Sequence, residues 1–315
     1  MKKSVSALLF IAFLSGCSSV AVDTSGVQKA QAVKSGFIIK RAVDDIKVAG
    51  SKKTIKNKTR VIVPFFRLNF VVSDKYRNTI GNYKGSTSSR VNSELSGVNG
   101  ATYQQIAEEM YTNFIEELKR AGYEVLPNET LDSNAKYAGL ARKYPVIKND
   151  VVQATPQRLP FPGTFMDPAV KISKGLDALL LKVDLNVDFL VINKNESRFN
   201  ITKDSSHVDV TQGVNVLGTV TVYANQKVTT LTLQQPVTSD RPFGIVLDET
   251  SAMSRANDVM VAASGWFNGQ GLANKRQTTR SFNVDARDQD YRLAAGDALV
   301  QANRKVAVTL QGLAG

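Results

Sequence analysis

The segment ATYQQIAEEMYTNFIEELKRAG, residues 101–122, constrains the fold more than any other part of the chain. Tyr103, Ile106, Ala107, Met110, Phe114, Leu118 and Ala121 recur at three- and four-residue spacing, which lines one side of a helix with apolar groups. Glu108, Glu109, Glu116 and Glu117 fall on the other side. Thr102 and Gln105 have the spacing of a capping box, Lys119 and Arg120 suit the negative end of the helix dipole, and Gly122 suits the left-handed residue that ends a helix. Such a stripe must be buried against another element. RVIVPFF (60–66) is an apolar run too short for a helix, and YEVLP (123–127) is a short strand closed by Pro127. Pro64 predicts a strand end or an edge. Strand, helix and strand in this order predict a sheet with helices packed on it.

Downstream, DSNAKYAGLARKY (132–144) predicts a weaker helix, and the proline-rich TPQRLPFPGTFMDP (155–168) excludes regular structure. KGLDALLLKVDLNVDFLVIN (174–193) predicts a strand, first as a buried run and then by alternation. VNVLGTVTVYA and KVTTLTLQQ predict two strands joined by a hairpin turn at Asn225-Gln226. In ARDQDYRLAAGDALVQANRKVAVTLQGL, the residues Tyr291, Ala294, Ala295, Ala298, Leu299, Ala302, Val306 and Leu310 form the buried stripe of a last helix. YKGSTSSRVNSELSGVNG (83–100) reads as a long loop, GSKKTIKNKTR (50–60) as a basic connector, and GFIIKRAVDDIKV (36–48) as either a strand or a short helix. The expected class is α+β: a mixed β-sheet flanked by helices, with a β-rich hairpin region and a C-terminal helix.

The chain opens with Met1-Lys2-Lys3, continues through an apolar run to Leu14, and exits through Gly16 to Cys17, the layout of a secretory signal peptide. The apolar run is far shorter than the roughly 20 residues that span a bilayer as a helix. Cys17 is the chain's one cysteine, so no disulfide within the chain is available. Leu14-Ser15-Gly16-Cys17 resembles the lipobox of bacterial outer-membrane lipoproteins. The resemblance implies that residues 1–16 are removed, that Cys17 becomes the first residue and carries the acyl chains, and that Ser18 directs sorting to the outer membrane. Each buried methylene contributes about 0.8 kcal/mol, and two or three chains anchor firmly. The expected organisation is a signal peptide (1–16), a lipidated tether and basic linker (17–59), and a periplasmic α/β domain with a β-rich insertion (60–315).

The formal charge is +12, and loss of the leader removes Lys2 and Lys3 but no acid. A basic surface suits anionic lipid, cell wall or nucleic acid, and secretion argues against the last. His207 is the sole histidine, so neither a metal site nor a serine triad is expected. No nucleophile-elbow, zincin or phosphate-loop pattern occurs, so no catalytic residue and no cofactor is assigned. Asp184 and Asp188, four residues apart on a strand, have the spacing to share a face; paired carboxylates run glycoside cleavage, and solvent-facing acids are the plainer reading. Trp266 and Phe267, flanked by glycines, are candidates for stacking on a sugar or an apolar ligand, against the alternative of packing at a turn.

The element order resembles the α/β domain of the curli-secretion lipoprotein family and the related amino-terminal domain of TolB. Pro64-Phe65, the stretch Gly122 to Leu126, and Gly175-Leu176-Asp177-Ala178-Leu179 match its three strand signatures, while Lys182 stands where that pattern has a glycine. The resemblance implies envelope assembly, secretion or partner docking without catalysis. The expected function is therefore a non-enzymatic scaffold or assembly factor facing the periplasm from the outer membrane. Its expected partners are the membrane, through the lipid, and other envelope proteins, with a homo-oligomer left open and nucleic acid excluded. The alternative is a lipoprotein that binds a glycan or lipid.

Overall fold

The computed structural model describes residues 18–27, 34–35, 41–42, 44–82, 85–142, 145–161, 167–197, 205–251 and 275–315. In chain order these form β1 (Ser18–Val27), β2 (Lys34–Ser35), β3 (Arg41–Ala42), β4 (Ile46–Gly50), β5 (Arg60–Val71), β6 (Ser73–Asn82) and β7 (Gly85–Ser96). Then come α1 (Gly100–Arg120), β8 (Glu124–Val125), α2 (Ala135–Ala138), β9 (Val146–Lys148), β10 (Val151–Ala154) and α3 (Ala169–Ile172). The chain continues through β11 (Leu179–Ser197), β12 (Ser205–Ala224), β13 (Lys227–Thr238), β14 (Gly244–Asp248) and β15 (Lys275–Ala286), and closes with α4 (Asp288–Ala314). The class is α+β, as the pattern predicts.

The main sheet runs β4–β13–β12–β11–β5–β10–β9, with β1 beside β12 and β8 beside β5. β5 and β11 are parallel, and their consecutive apolar residues are buried because both faces of this part of the sheet are covered. One face takes α1 and α4, whose Ile106, Phe114, Leu118, Leu299 and Val306 pack with Val61, Val63 and Phe66 in the main core. Each such side chain contributes about 1.5–3 kcal/mol on burial. Buried Asn303 stitches the helices together by donating to the Met110 carbonyl at 3.0 Å and to Asn113 Oδ1 at 2.9 Å. On the other face, Ile62, Phe65, Tyr137, Ile172, Leu180 and Tyr223 form a smaller cluster under α2 and α3.

Above this body, β11 and β12 run on as a long hairpin beside a second sheet, β14–β15–β7–β6. Val91, Val210, Val246, Phe282 and Val284 continue the same core between the two sheets. β5 passes directly into β6, and Gln212 donates to the Gly244 carbonyl at 2.7 Å, so β14 starts level with the middle of β12. The strand pairs β6–β7, β11–β12 and β14–β15 therefore project from the body at one end.

Several expectations change. Residues 85–96, expected as loop, form β7, paired by β6 on one side and β15 on the other. Pairing on both edges satisfies the backbone of a Ser-rich segment that has little apolar character of its own. Residues 18–27, expected within the tether, form β1. The helix expected over 132–144 is limited to the four residues of α2, and Gly139 follows as its cap. The cap of α1 is Asn99, whose side chain accepts from the Ala101 amide at 3.1 Å; Thr102 instead donates to Asp288. Pro64 lies inside β5, at a stretch between the pairing of β8 with Arg60–Val61 and of β10 with Leu68–Val71, where a missing amide is tolerated. Gly122 has φ +88 after α1, and Asn225 and Gln226 have φ 43 and 70 at the β12–β13 turn, as predicted.

Candidate functional site

Three places on this fold bear on function, and the first is the hairpin end. Cys17 lies outside the described residues, as do Trp266 and Phe267. Ser18 begins β1, which runs parallel to β12 with Ser18 opposite Ser206 and Ser19 opposite His207. The reason is an open edge: β13 stops pairing at Asn215, and β1 takes the same edge of β12 from Gln212 to the tip. On the far side of β12, Ser206 faces Glu196. Ser18, the residue after Cys17, thus sits at the end of the long hairpin. The alternation of Val20 and Val22 with Ala21 and Asp23 carries a strand signal that the polar reading of 18–36 passed over.

The second is a polar patch on the sheet face that α1 and α4 leave uncovered. Arg67 and Asn69 from β5, Asp184 and Asn186 from β11, and Gln153 from β10 line a groove of about 470 Å3 with Lys148, Asn149 and Thr219. Arg67 grips Asp184 with both Nε (3.2 Å) and Nη2. Asn69 donates to Asp184 Oδ1 at 2.6 Å and to Asn186 Oδ1 at 3.0 Å, and receives a hydrogen bond from Gln153 at 2.9 Å. The Arg67 guanidinium also lies 5.8 Å from the centre of the Phe161 ring. Lower on the same face, Lys182 (2.8 Å), the Tyr223 hydroxyl (2.5 Å) and the Ala169 amide (3.0 Å) all donate to Asp167. Burial works to raise the Asp167 pKa, but these hydrogen bonds outweigh it and hold the carboxyl below its usual range. Burial, reinforced by Asp167, pushes the Tyr223 hydroxyl up. Sequence reasoning selected Asp184 but missed Arg67 and Asn69, whose shared partner Asp184 lies more than 100 residues away in the chain.

The third is the junction between body and hairpins. β11 carries a bulge after Asp188, and Asp188 Oδ1 accepts from the Phe189 amide at 2.7 Å and the Leu190 amide at 3.3 Å. Burial pushes the Asp188 carboxyl up to about 6; the two amides oppose this and the charge of Asp74 adds to it. Across the strand pair, Asn215 donates to the Leu190 carbonyl at 3.0 Å. Asp184 and Asp188, weighed as a pair on one face, therefore have separate partners, one bound to Arg67 and the other to the bulge amides.

Among the described residues, no group of three or more His, Cys, Asp or Glu side chains gathers as a metal site, and no helix is long and apolar enough to cross a membrane. No protein-family model, curated protein or solved structure matches this chain.

Proposed function

We propose that this protein is a lipid-anchored outer-membrane lipoprotein that acts, without catalysis, as a scaffold or assembly factor facing the periplasm. The observation that carries this reading is the pairing of Ser18 with Ser206. Acyl chains on Cys17 would hold the hairpin end at the bilayer. β12 runs from Ser205 to Ala224, about 60 Å at 3.3 Å per residue, so the helical body would stand well clear of the lipid. β6 and β14 are the outer strands of the second sheet, and among the described residues each has one edge without a paired strand, which a partner strand or a second copy could extend. The ligand-binding alternative draws on the polar groove around Arg67 and Asn69, whose planar hydrogen-bonding side chains suit a glycan.

Intact-mass analysis of the native protein tests the anchor. The expected product begins at Cys17 and carries fatty acyl chains; an intact leader or a free Cys17 thiol would contradict it. Crosslinking in the envelope, followed by purification in mild detergent, tests the scaffold role. The expected result is one or a few defined envelope proteins, or defined multiples of the chain itself, and a monomer without partners speaks against it.

A further inference from the structure

A cleft of about 710 Å3 opens on the flank of α1, in the body rather than the hairpin end. Its apolar lining comes from Tyr111, Ile115, Leu126, Tyr137 and Leu159. One wall is the turn through residues 127–132, tied down where Asn128 Nδ2 donates to the Tyr111 hydroxyl at 2.8 Å, and it carries Glu129 and Asp132. A second wall carries Arg142 and Arg158. Its two segments are joined by the Phe161 amide donating to the Ala141 carbonyl at 2.9 Å. It is fastened to α1 where the Gln157 amide donates to Glu108 at 2.7 Å and Gln104 donates to the Thr155 carbonyl at 2.8 Å. Glu129, Asp132 and Arg158 are exposed and form no ion pair with another described residue.

One further group can hydrogen-bond a ligand: the Tyr111 hydroxyl accepts from Asn128 and keeps its own proton to donate. The volume falls in the range of about 300–1,000 Å3 typical of ligand sites. An aromatic and aliphatic floor, with Glu129 and Asp132 on one lining segment, Arg142 and Arg158 on another, and Glu116 and Lys119 from α1, matches an apolar side chain flanked by charges of opposite sign. One backbone C=O for the Tyr111 proton completes the match, and an extended peptide presents it. A sugar lacks the charges, and a fatty acid leaves the acidic wall unmet.

We propose that this cleft binds a short extended peptide segment of a partner protein, an apolar residue flanked by one basic and one acidic residue. The proposal deepens the scaffold reading by naming the chemistry of a partner, and it does not require the lipid anchor. The probe is the end-capped tripeptide Lys-Leu-Glu, titrated into the full-length protein while the methyl resonances of Ile115, Leu126 and Leu159 are followed. These methyls are expected to shift in a saturable way, with a Kd of about 0.1–1 mM for so small a ligand. Arg158→Glu is expected to weaken binding about tenfold, as is exchanging the probe for capped Gln-Leu-Gln. Arg158 is exposed, so unchanged methyl shifts elsewhere verify that the variant is folded. No shift up to about 5 mM, shifts confined to other methyls, or equal binding of the neutral probe would overturn the proposal. The titration is repeated on Cys17→Ser protein. A flat result alongside acylation confirmed on the native protein removes the peptide site alone, and binding by a native protein whose mass shows no acyl chains removes the anchor alone.

Discussion

Asp188 buries a carboxyl that two backbone amides only partly compensate. Its folded-state pKa of about 6 lies above the ordinary 3.8, so the folded chain holds a proton that the unfolded chain releases between those values. The fold therefore loses stability as pH rises from about 4 to about 6, and the penalty is complete above that window. Asp188→Asn keeps an oxygen for both amides and removes the charge. Thermal melts should show the variant about 3 °C more stable than the parent at pH 7.5 and equal to it near pH 3; a variant destabilised at both values would rule this out. The opposite sign is expected at Arg67, whose side chain is 11% exposed against 25% for its partner Asp184. Arg67→Ala strands that carboxylate and should cost about 2–4 kcal/mol by urea unfolding. Asp184→Asn in the Arg67→Ala background should recover part of the loss, and a purely additive cycle would show that the pair is uncoupled.

Among the elements, the ones that were legible before folding are those whose own sequence repeats with a period. α1 and α4 are found at the expected places because their apolar residues recur every three to four positions. The turn at Asn225-Gln226 announces itself by residue type. β7 was illegible because pairing with β6 and β15, rather than apolar periodicity, holds it in place, and β1 offers only the short alternation at Val20 and Val22 and depends on the edge of β12. The same holds for the polar groove, where Asp184 is visible in the sequence but its grip by Arg67 is created by the parallel pairing of β5 with β11. Close strand contact also sets the role of Gly218. It has φ +148, and a Cβ there would lie 2.4 Å from the Asp184 carbonyl oxygen and 2.8 Å from the Leu185 Cα. Gly218→Ala must therefore part β11 from β12 and should cost about 2–4 kcal/mol. An unchanged unfolding midpoint would show that the two strands are not so tightly apposed.

For the whole molecule, the central claim is one of direction: lipid at the hairpin end, helical body away from it. The register of β1 on β12 ties these together, because pairing of Ser18 with Ser206 puts the residue after Cys17 at the tip. The proposed acylation would consume the Cys17 thiol, so that a maleimide fluorophore labels only an introduced cysteine. Ser206→Cys marks the tip end of β12 and Lys227→Cys the start of β13 just beyond its other end, about 60 Å apart along the strand. With the protein in vesicles containing head-group nitroxide lipid, the label at position 206 should be quenched strongly and the label at position 227 hardly at all. Equal quenching, or stronger quenching at position 227, would contradict the account.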